Sequence, residues 1–425
     1  MSDDPVVILD AVIAALTNLK ASIAPAGPTA AVIVTPADFD KALAAAAPGA
    51  TLLLDPTLVY PSPLTLATPI RLQAAIDLPT GRMTPDVKLP IFAGSITVSG
   101  DDVSLVGLEI RSVDLGWSVV TISGARTLVD RCRILGDPTR GAHRGIAANG
   151  NGNVMITRCY VEDCFGPYPG DDTQAICAWD MANGLVIEDN YLSGGSETIM
   201  LGGADSSSVD RMPSDVTIRG NTITKRAAWQ GQPVNVKNAL EIKAGRRVLI
   251  ANNEISGSWG GHGQDGYALM LTVRNQGGKA PWSTIQDVTV TGNHFSQAAA
   301  AINILGRDDR ANIVSAPLQH VSITNNVFDG LDAKKYTGSA KMIQIGWGPD
   351  AVTIDGNTFT GTGMTSQVYF QGPVPPQCTS LQITNNRWPK TTYGIFASGV
   401  TNDQKAAWAK YVASGSHDGN TEVTA

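Results

Sequence analysis

Residues 216–224 read VTIRGNTIT, residues 288–296 VTVTGNHFS and residues 352–360 VTIDGNTFT. Each unit alternates apolar and polar residues, turns through two small or polar positions, presents an asparagine sixth and enters a second short apolar stretch. The unit recurs as VSLVGLEIR (103), TLVDRCRIL (127), VMITRCYVE (154), LVIEDNYLS (185), VLIANNEIS (248), VSITNNVFD (321) and LQITNNRWP (381). The ten copies start 24, 27, 31, 31, 32, 40, 33, 31 and 29 residues apart. Alternation with period two marks strands with one buried face; a helical repeat of this length would need a 3.6-residue period, which is absent. The sequence predicts an all-β fold, a parallel β-helix of about ten coils.

The sixth position carries Leu108, Cys132 and Cys159, then Asn190, Asn221, Asn253, Asn293, Asn326, Asn357 and Asn386. Coils of a solenoid stack about 4.8 Å apart, so one position of the turn forms a column. Stacked amides in such a column bond each other and the turn backbone, which predicts an asparagine ladder broken toward the N-terminal end. A second alternating strand accompanies most units: GIAANG (145), AICAWD (175), TIMLGG (198), ALEIKA (239), ALMLTV (268), AINILG (301), MIQIGW (342) and VYFQG (368). At least two strands per coil follow, with loops of unequal length between them where function would sit.

Composition agrees with a long solenoid. Of 425 residues 43% are hydrophobic and 16% charged, and the 44 glycines suit recurrent turns. A net charge of −7 without any run of Lys or Arg excludes nucleic acid as a partner. Cys132, Cys159, Cys164, Cys177 and Cys378 match neither a disulfide framework nor a zinc pattern, and read as small buried hydrophobes. No secretory signal is legible at the start, and no apolar run reaches the length of a membrane span.

The ends read differently. Residues 35–54 predict a helix with Thr35 as N-cap and Pro36 at its first position, ended by Pro48-Gly49 and followed by a strand, suited to cover the open first coil. Residues 1–34 form a separate segment in which Val6, Leu9, Ile13, Leu16, Lys20 and Ile23 make an a/d seam, followed by the linker APAGPTAA. This segment is expected to oligomerise the chain, as a homotrimer, or to attach it to a larger assembly, with docking on its own solenoid as the alternative. The β-helix itself is placed at 55–400. Residues 401–425 are read as a short helix, with Trp408 and Tyr411 covering the last coil, and a polar mobile tail.

Chemistry is sought in charges shared by consecutive coils. In ALEIKAGRR, Glu241 and Lys243 alternate with Leu240 and Ile242 and so share the outer face, while Arg274, Asn275 and Gln276 end the next equivalent strand. Glu197 and Asp205 border the coil before. Such a set suits β-elimination from a uronic-acid polysaccharide, which needs a neutralised carboxylate, a base and an acid. A Ca²⁺ held by Glu241, Glu197 or Asp171/Asp172 could neutralise the carboxylate in place of Arg274. Two bland or rival readings stand beside this one: Glu241–Lys243 as a solvated ion pair, and a hydrolase using two of Asp171, Asp172, Glu197, Asp205 and Asp265. Trp179, Trp229, Trp259, Tyr267, Trp282 and Trp347 lie in or beside loops where aromatic rings could stack on sugars. His262 reads as a loop residue.

The repeat and its asparagines resemble the pectate-lyase-like superfamily of right-handed parallel β-helices, over roughly residues 36 to 396. Within it, ALEIKAGRRVLIANNEISGSWG with LTVRN resembles the chondroitinase-B/alginate-lyase group. That resemblance implies Lys243 as base, Arg274 as acid and carboxylates, including Glu241, as calcium ligands. Glu241 and Lys243 stand closer together than in that group, which puts Glu241 as a ligand in question. Polysaccharide is the implied partner, with Glu197, Asn275, Gln276, Trp259, Tyr267 and Trp282 as contacts. The heptad segment and linker also resemble phage tailspikes, implying a virion or extracellular setting, with a non-enzymatic fibre as a further alternative.

Overall fold

The computed structural model describes residues 32–113, 116–261 and 265–423. Three parallel sheets of 14, 13 and 12 strands run the length of a right-handed β-helix. We term them sheets I, II and III in that order. Each coil adds one strand to each sheet: Leu185–Glu188 to sheet I, Tyr191–Gly194 to sheet II, Ile199–Leu201 to sheet III. The repeated unit is thus the sheet I strand, its turn and the sheet II strand. The companion strands form sheet III. The solenoid has more coils than the ten units indicate, because the coils before residue 103 use strands such as Ala50–Leu54 and Ile70–Ala74 without the turn motif.

The turn explains the motif. Its fifth residue adopts a left-handed conformation, at Gly220 (φ 66°), Asn252 (φ 54°), Gly292 (φ 65°), Asn325 (φ 55°) and Gly356 (φ 65°), where glycine and asparagine are least strained. The sixth residue then points inward. Asn253 Nδ2 donates to the carbonyls of Ile218 (2.9 Å) and Ala251 (3.1 Å) and to Asn293 Oδ1 (2.8 Å), while its Oδ1 accepts from the Asn221 backbone N–H (3.0 Å). The same pattern links Asn190 through to Asn386. Cys159 begins it, its backbone N–H bonding Asn190 Oδ1 at 2.8 Å. Inside, like side chains stack, as in Phe295–Phe328–Phe359 with centroids 4.5 and 4.8 Å apart. All five cysteines are free and buried.

The N-terminal helix, α1 (Phe39–Ala45), starts three residues beyond the expected Pro36, because residues 36–38 form a turn and Thr35 Oγ1 bonds Asp38 Oδ2 instead of a helix N–H. Phe39 is fully buried against Tyr60 and Phe92 at the open end of the first coils. The heptad seam and linker, up to residue 31, fall outside the described residues. At the other end α2 (Gln404–Tyr411) lays Tyr411 on Phe370 with centroids 5.5 Å apart. The tail is not a free polar extension: Gly415–Ser416 joins sheet I and Thr421–Val423 joins sheet II. Asn420 supplies one more rung, its Oδ1 accepting from Asn386 N (2.9 Å).

An excursion at residues 75–90 straps the outside of the turn column. Arg82 reaches the carbonyls of Asp189 and Gly220, and Arg133, paired with the buried Glu109, donates to those of Thr84, Pro85 and Val87.

Candidate active site on the outer face of sheet III

Along sheet III the outward positions Cys177, Met200, Glu241, Met270 and Asn303 stand in register on successive strands. Most of this row is apolar or neutral, so the one charge, Glu241, marks a change of environment. Lys243 lies two residues farther along the same strand direction, and its ammonium stands 3.4 Å from Glu241 Oε1. The Arg274 backbone N–H bonds the Lys243 carbonyl at 2.9 Å, which fixes the next coil beside it. Glu197, on the preceding coil, opposes Gln174, whose Nε2 donates to Glu197 Oε2 at 2.9 Å.

These groups line a cleft of about 270 Å³ with Lys237, Asn238, Thr272, Asn303, Asp309 and Gln371. Four sequence-predicted residues, Glu197, Glu241, Lys243 and Arg274, are therefore brought together. Lys237 and Asn238 were not anticipated. They arrive on the excursion between residues 225 and 238, which has no strand register by which to place them. The excursion is held by an apolar cluster that includes Phe165, Trp229, Val236, Trp259 and Tyr336. Lys237 Nζ bridges Asp172 Oδ1 (2.9 Å) and Glu197 Oε1 (3.6 Å), and Asn238 Nδ2 donates to Glu241 Oε2 (2.8 Å).

Electrostatics separate the carboxyls. Burial pushes the pKa of Glu197 up, and the neighbouring Asp172 and Glu241 charges add to it, to about 7. Burial also opposes ionisation of Asp172, but Lys237 and Lys243 outweigh it and hold its pKa below the usual carboxylate range. Glu241 raises the pKa of Lys243, and Lys237 is raised by Glu197 and Asp172 against the effect of its burial. Behind the site, burial lowers the pKa of Lys225, whose Nζ donates to the carbonyls of Gly194, Gly195 and Ser196, the three residues before Glu197.

Several expected contacts lie elsewhere. Tyr267 is fully buried, its hydroxyl donating to Gln344 Oε1 (2.9 Å) and accepting from Ser339 Oγ (2.8 Å). Trp259 belongs to the cluster that anchors the 225–238 excursion. Trp282 bonds Ser206 through its indole N–H, and Asn275 is buried and ties two loops together, its Nδ2 donating to Val314 O of the next coil and its Oδ1 accepting from Ala280 N. Gln276 is exposed beside that loop, its carbonyl accepting from Arg310. Asp205 caps the same loop through the N–H groups of Gly277 and Lys279. His262 lies outside the described residues.

The carboxylates do not fit calcium. Asp172, Glu197 and Glu241 each face a lysine ammonium where a cation would stand. Asp171 is turned toward the Tyr168 N–H and His143. Among the described residues no three carboxylate, histidine or cysteine side chains converge as a metal site. The adjacent Glu241 raises the pKa of Lys243, which disfavours the neutral amine that a base would need.

The family description "right handed beta helix region" matches residues 94–275 and 144–359. The chain belongs to this family. No curated protein matches the β-helix chain in sequence. Among solved structures, the catalytic unit of a GH87 α-1,3-glucanase from Streptomyces thermodiastaticus strain HF3-3 is similar, with a TM-score of 0.63 at 18% identity over 94% of this chain and 70% of that one. The PL6 alginate lyase AlyGC gives a TM-score of 0.51 at 16% identity, with 88% of this chain and 46% of that one covered. A mannuronic acid specific family 6 lyase from human gut microbiota gives 0.50 at 13%, over 93% and 91%. At these identities the likeness establishes the shared β-helix. No helix among the described residues is long and apolar enough to cross a membrane.

Proposed function

We propose that the chain cleaves a polysaccharide lying along sheet III, with Glu197 donating the proton to the departing glycosidic oxygen. The observation that carries this is the Glu197 carboxyl itself. It lines the cleft at 1% exposure, with its pKa pushed up to about 7, while Asp172 beside it is held low. Carboxyls driven apart in this way are how a site holds a proton donor next to an ionised partner at neutral pH. Glu241, held by Lys243 and Asn238, is the second carboxylate of the cleft. In hydrolysis Glu197 protonates the leaving oxygen, Glu241 takes a proton from water, and water adds across the broken bond. Lys237, Lys243 and Arg274 line the cleft paired with Glu197, Glu241 and Asp309, so the cleft presents ion pairs that the hydroxyls or a carboxylate of a sugar would meet. The glucanase, the alginate lyase and the mannuronic acid specific polysaccharide lyase that share the fold act on polysaccharides, in keeping with the class of substrate.

A second reading, β-elimination, would have one of these cations exchange its present carboxylate partner for that of a uronate, neutralising it and acidifying the adjacent C–H. It requires a base, and Lys243 is held protonated by Glu241. Product analysis on a panel of acidic polysaccharides separates the two. Hydrolysis gives saturated ends that carry the mass of one water, whereas elimination gives an unsaturated end that absorbs in the ultraviolet. Glu197→Gln is expected to lower kcat by about 10²–10⁴-fold, and a chelator to leave the wild-type rate unchanged. Full activity in the Gln variant would overturn the assignment. We place the activity on a virion or in the extracellular space, with residues 1–34 as the attachment segment.

A further inference from the structure

We propose that Trp117, Arg144 and Trp179 form a binding subsite for an anionic sugar ring, at the N-terminal end of the same sheet III face. This rests on the glycan reading above and extends it. Arg144 opens a sheet III strand (Arg144–Ala148) and pairs in register with Gln174, the residue that bonds Glu197. Its guanidinium lies between two indoles, 5.6 Å from the Trp117 ring and 5.2 Å from the Trp179 ring. The small outward residues Ala147 and Cys177 leave room for that path, and Trp179 packs on the patch they make with Met200. Trp117 is 72% exposed, the most open of the large aromatic side chains described, and its inner face stacks on His143 with centroids 4.7 Å apart.

Arg126, Arg131, Arg158, Arg219, Arg247 and Arg274 each stand beside a carboxylate. Arg144 has no carboxylate at ion-pair distance among the described residues, and its Nε–H is buried without a hydrogen-bond partner. Arg71, Arg82 and Arg246 also stand without a carboxylate but bond other acceptors, whereas Arg144 lies against Cys177 and leaves one donor unused. Gln174 Oε1 and His143 Nδ1, both beside it, are likewise unpartnered. A buried donor left unsatisfied is costly, and a cation pinned between aromatic faces is pre-organised for an incoming anion. Two strand spacings separate Arg144 from the Glu197 coil, about 10 Å along the axis. A glycan running down sheet III would therefore meet Trp117 and Trp179 with its ring faces and Arg144 with a carboxylate while another linkage sits in the cleft. Trp117 offers the stacking surface; Arg144 supplies the charge preference.

The test is calorimetric titration of full-length Glu197→Gln protein with tetrasaccharides of galacturonate, mannuronate, guluronate and glucuronate, and with cellotetraose as the neutral control. Binding of at least one uronate tetrasaccharide over cellotetraose is expected. Trp117→Ala or Arg144→Gln, added singly, should weaken it about tenfold or more. Circular dichroism and melting temperature check that the surface variant Trp117→Ala folds as the parent does. Equal affinity in both variants, or no binding of any uronate, overturns the subsite. Separately, a wild-type chain that binds but cleaves nothing removes the proposed hydrolysis and leaves the subsite standing. A chain whose KM for cleavage is untouched by Trp117→Ala and Arg144→Gln leaves hydrolysis standing and removes the subsite.

Discussion

Three influences meet on the Glu197 carboxyl: burial and two neighbouring carboxylates raise its pKa, and Lys237 and Lys243 lower it. If this group must be protonated to act, activity falls as pH rises through about 7. Asp172→Asn removes a charge that raises the pKa and should move that limb to lower pH. Lys237→Met removes one that lowers it and should move the limb up. Opposite displacements in pH–rate profiles check the assignment; movement of both in one direction contradicts it. Stability gives a readout without substrate. The folded-state pKa of Glu197 lies above its ordinary 4.5, so the native state binds this proton more tightly than the unfolded chain. Its contribution is intact below pH 4.5 and declines as pH rises to about 7. Denaturation midpoints measured across that window should show less loss in Glu197→Gln. Alternation within a strand was enough to put Glu241 and Lys243 on one face. It could not place Lys237, which comes from an excursion, nor reveal that Trp259 and Tyr267 are committed to packing, because burial of an aromatic beside a loop depends on what the loop folds over.

At the scale of the element, the turn unit was the most legible part of the chain, because one backbone conformation and one side chain recur together. Asn253 serves its own coil and the one before it, donating to the carbonyls of Ala251 and Ile218 and accepting from the Asn221 N–H, and it reaches the next coil through Asn293 Oδ1. Asn253→Ala would leave buried backbone groups on two coils without partners, at a cost of about 2–4 kcal/mol. Cys159 occupies the same column with long contacts from Sγ to Val129 O (3.4 Å) and Thr157 O (3.3 Å). Sulfur bonds weakly, so Cys159→Ala should cost about 1 kcal/mol, set by lost packing. Chemical denaturation of the two variants measures the difference, and equal losses would mean that the ladder contributes no more than volume. The tail escaped the sequence reading for a related reason. SHDGNTEV carries the last asparagine, Asn420, but lacks the Val/Ile alternation that identifies a sheet I strand, and it pairs over only two residues there.

For the whole molecule, both ends of the described solenoid are already covered. Phe39 of α1 closes the first coils, and α2 with the strands after it closes the last. The heptad segment before residue 32 therefore has no capping task left to perform. Its seam, Val6, Leu9, Ile13, Leu16, Lys20 and Ile23, is too short to hold a helix in water alone, so its apolar stripe needs a partner. β-Branched residues alternate with leucine in the first two heptads, a pattern that packs parallel copies of itself. Light scattering on the full chain and on a chain lacking residues 1–34 tests this directly. A mass above the monomer that falls to the monomer on truncation, with the melting temperature of the solenoid retained, assigns the segment to self-association, and the full-chain mass distinguishes dimer from trimer. A monomer in both, with the melting temperature lowered by truncation, assigns it instead to docking on its own β-helix, and the oligomeric reading fails.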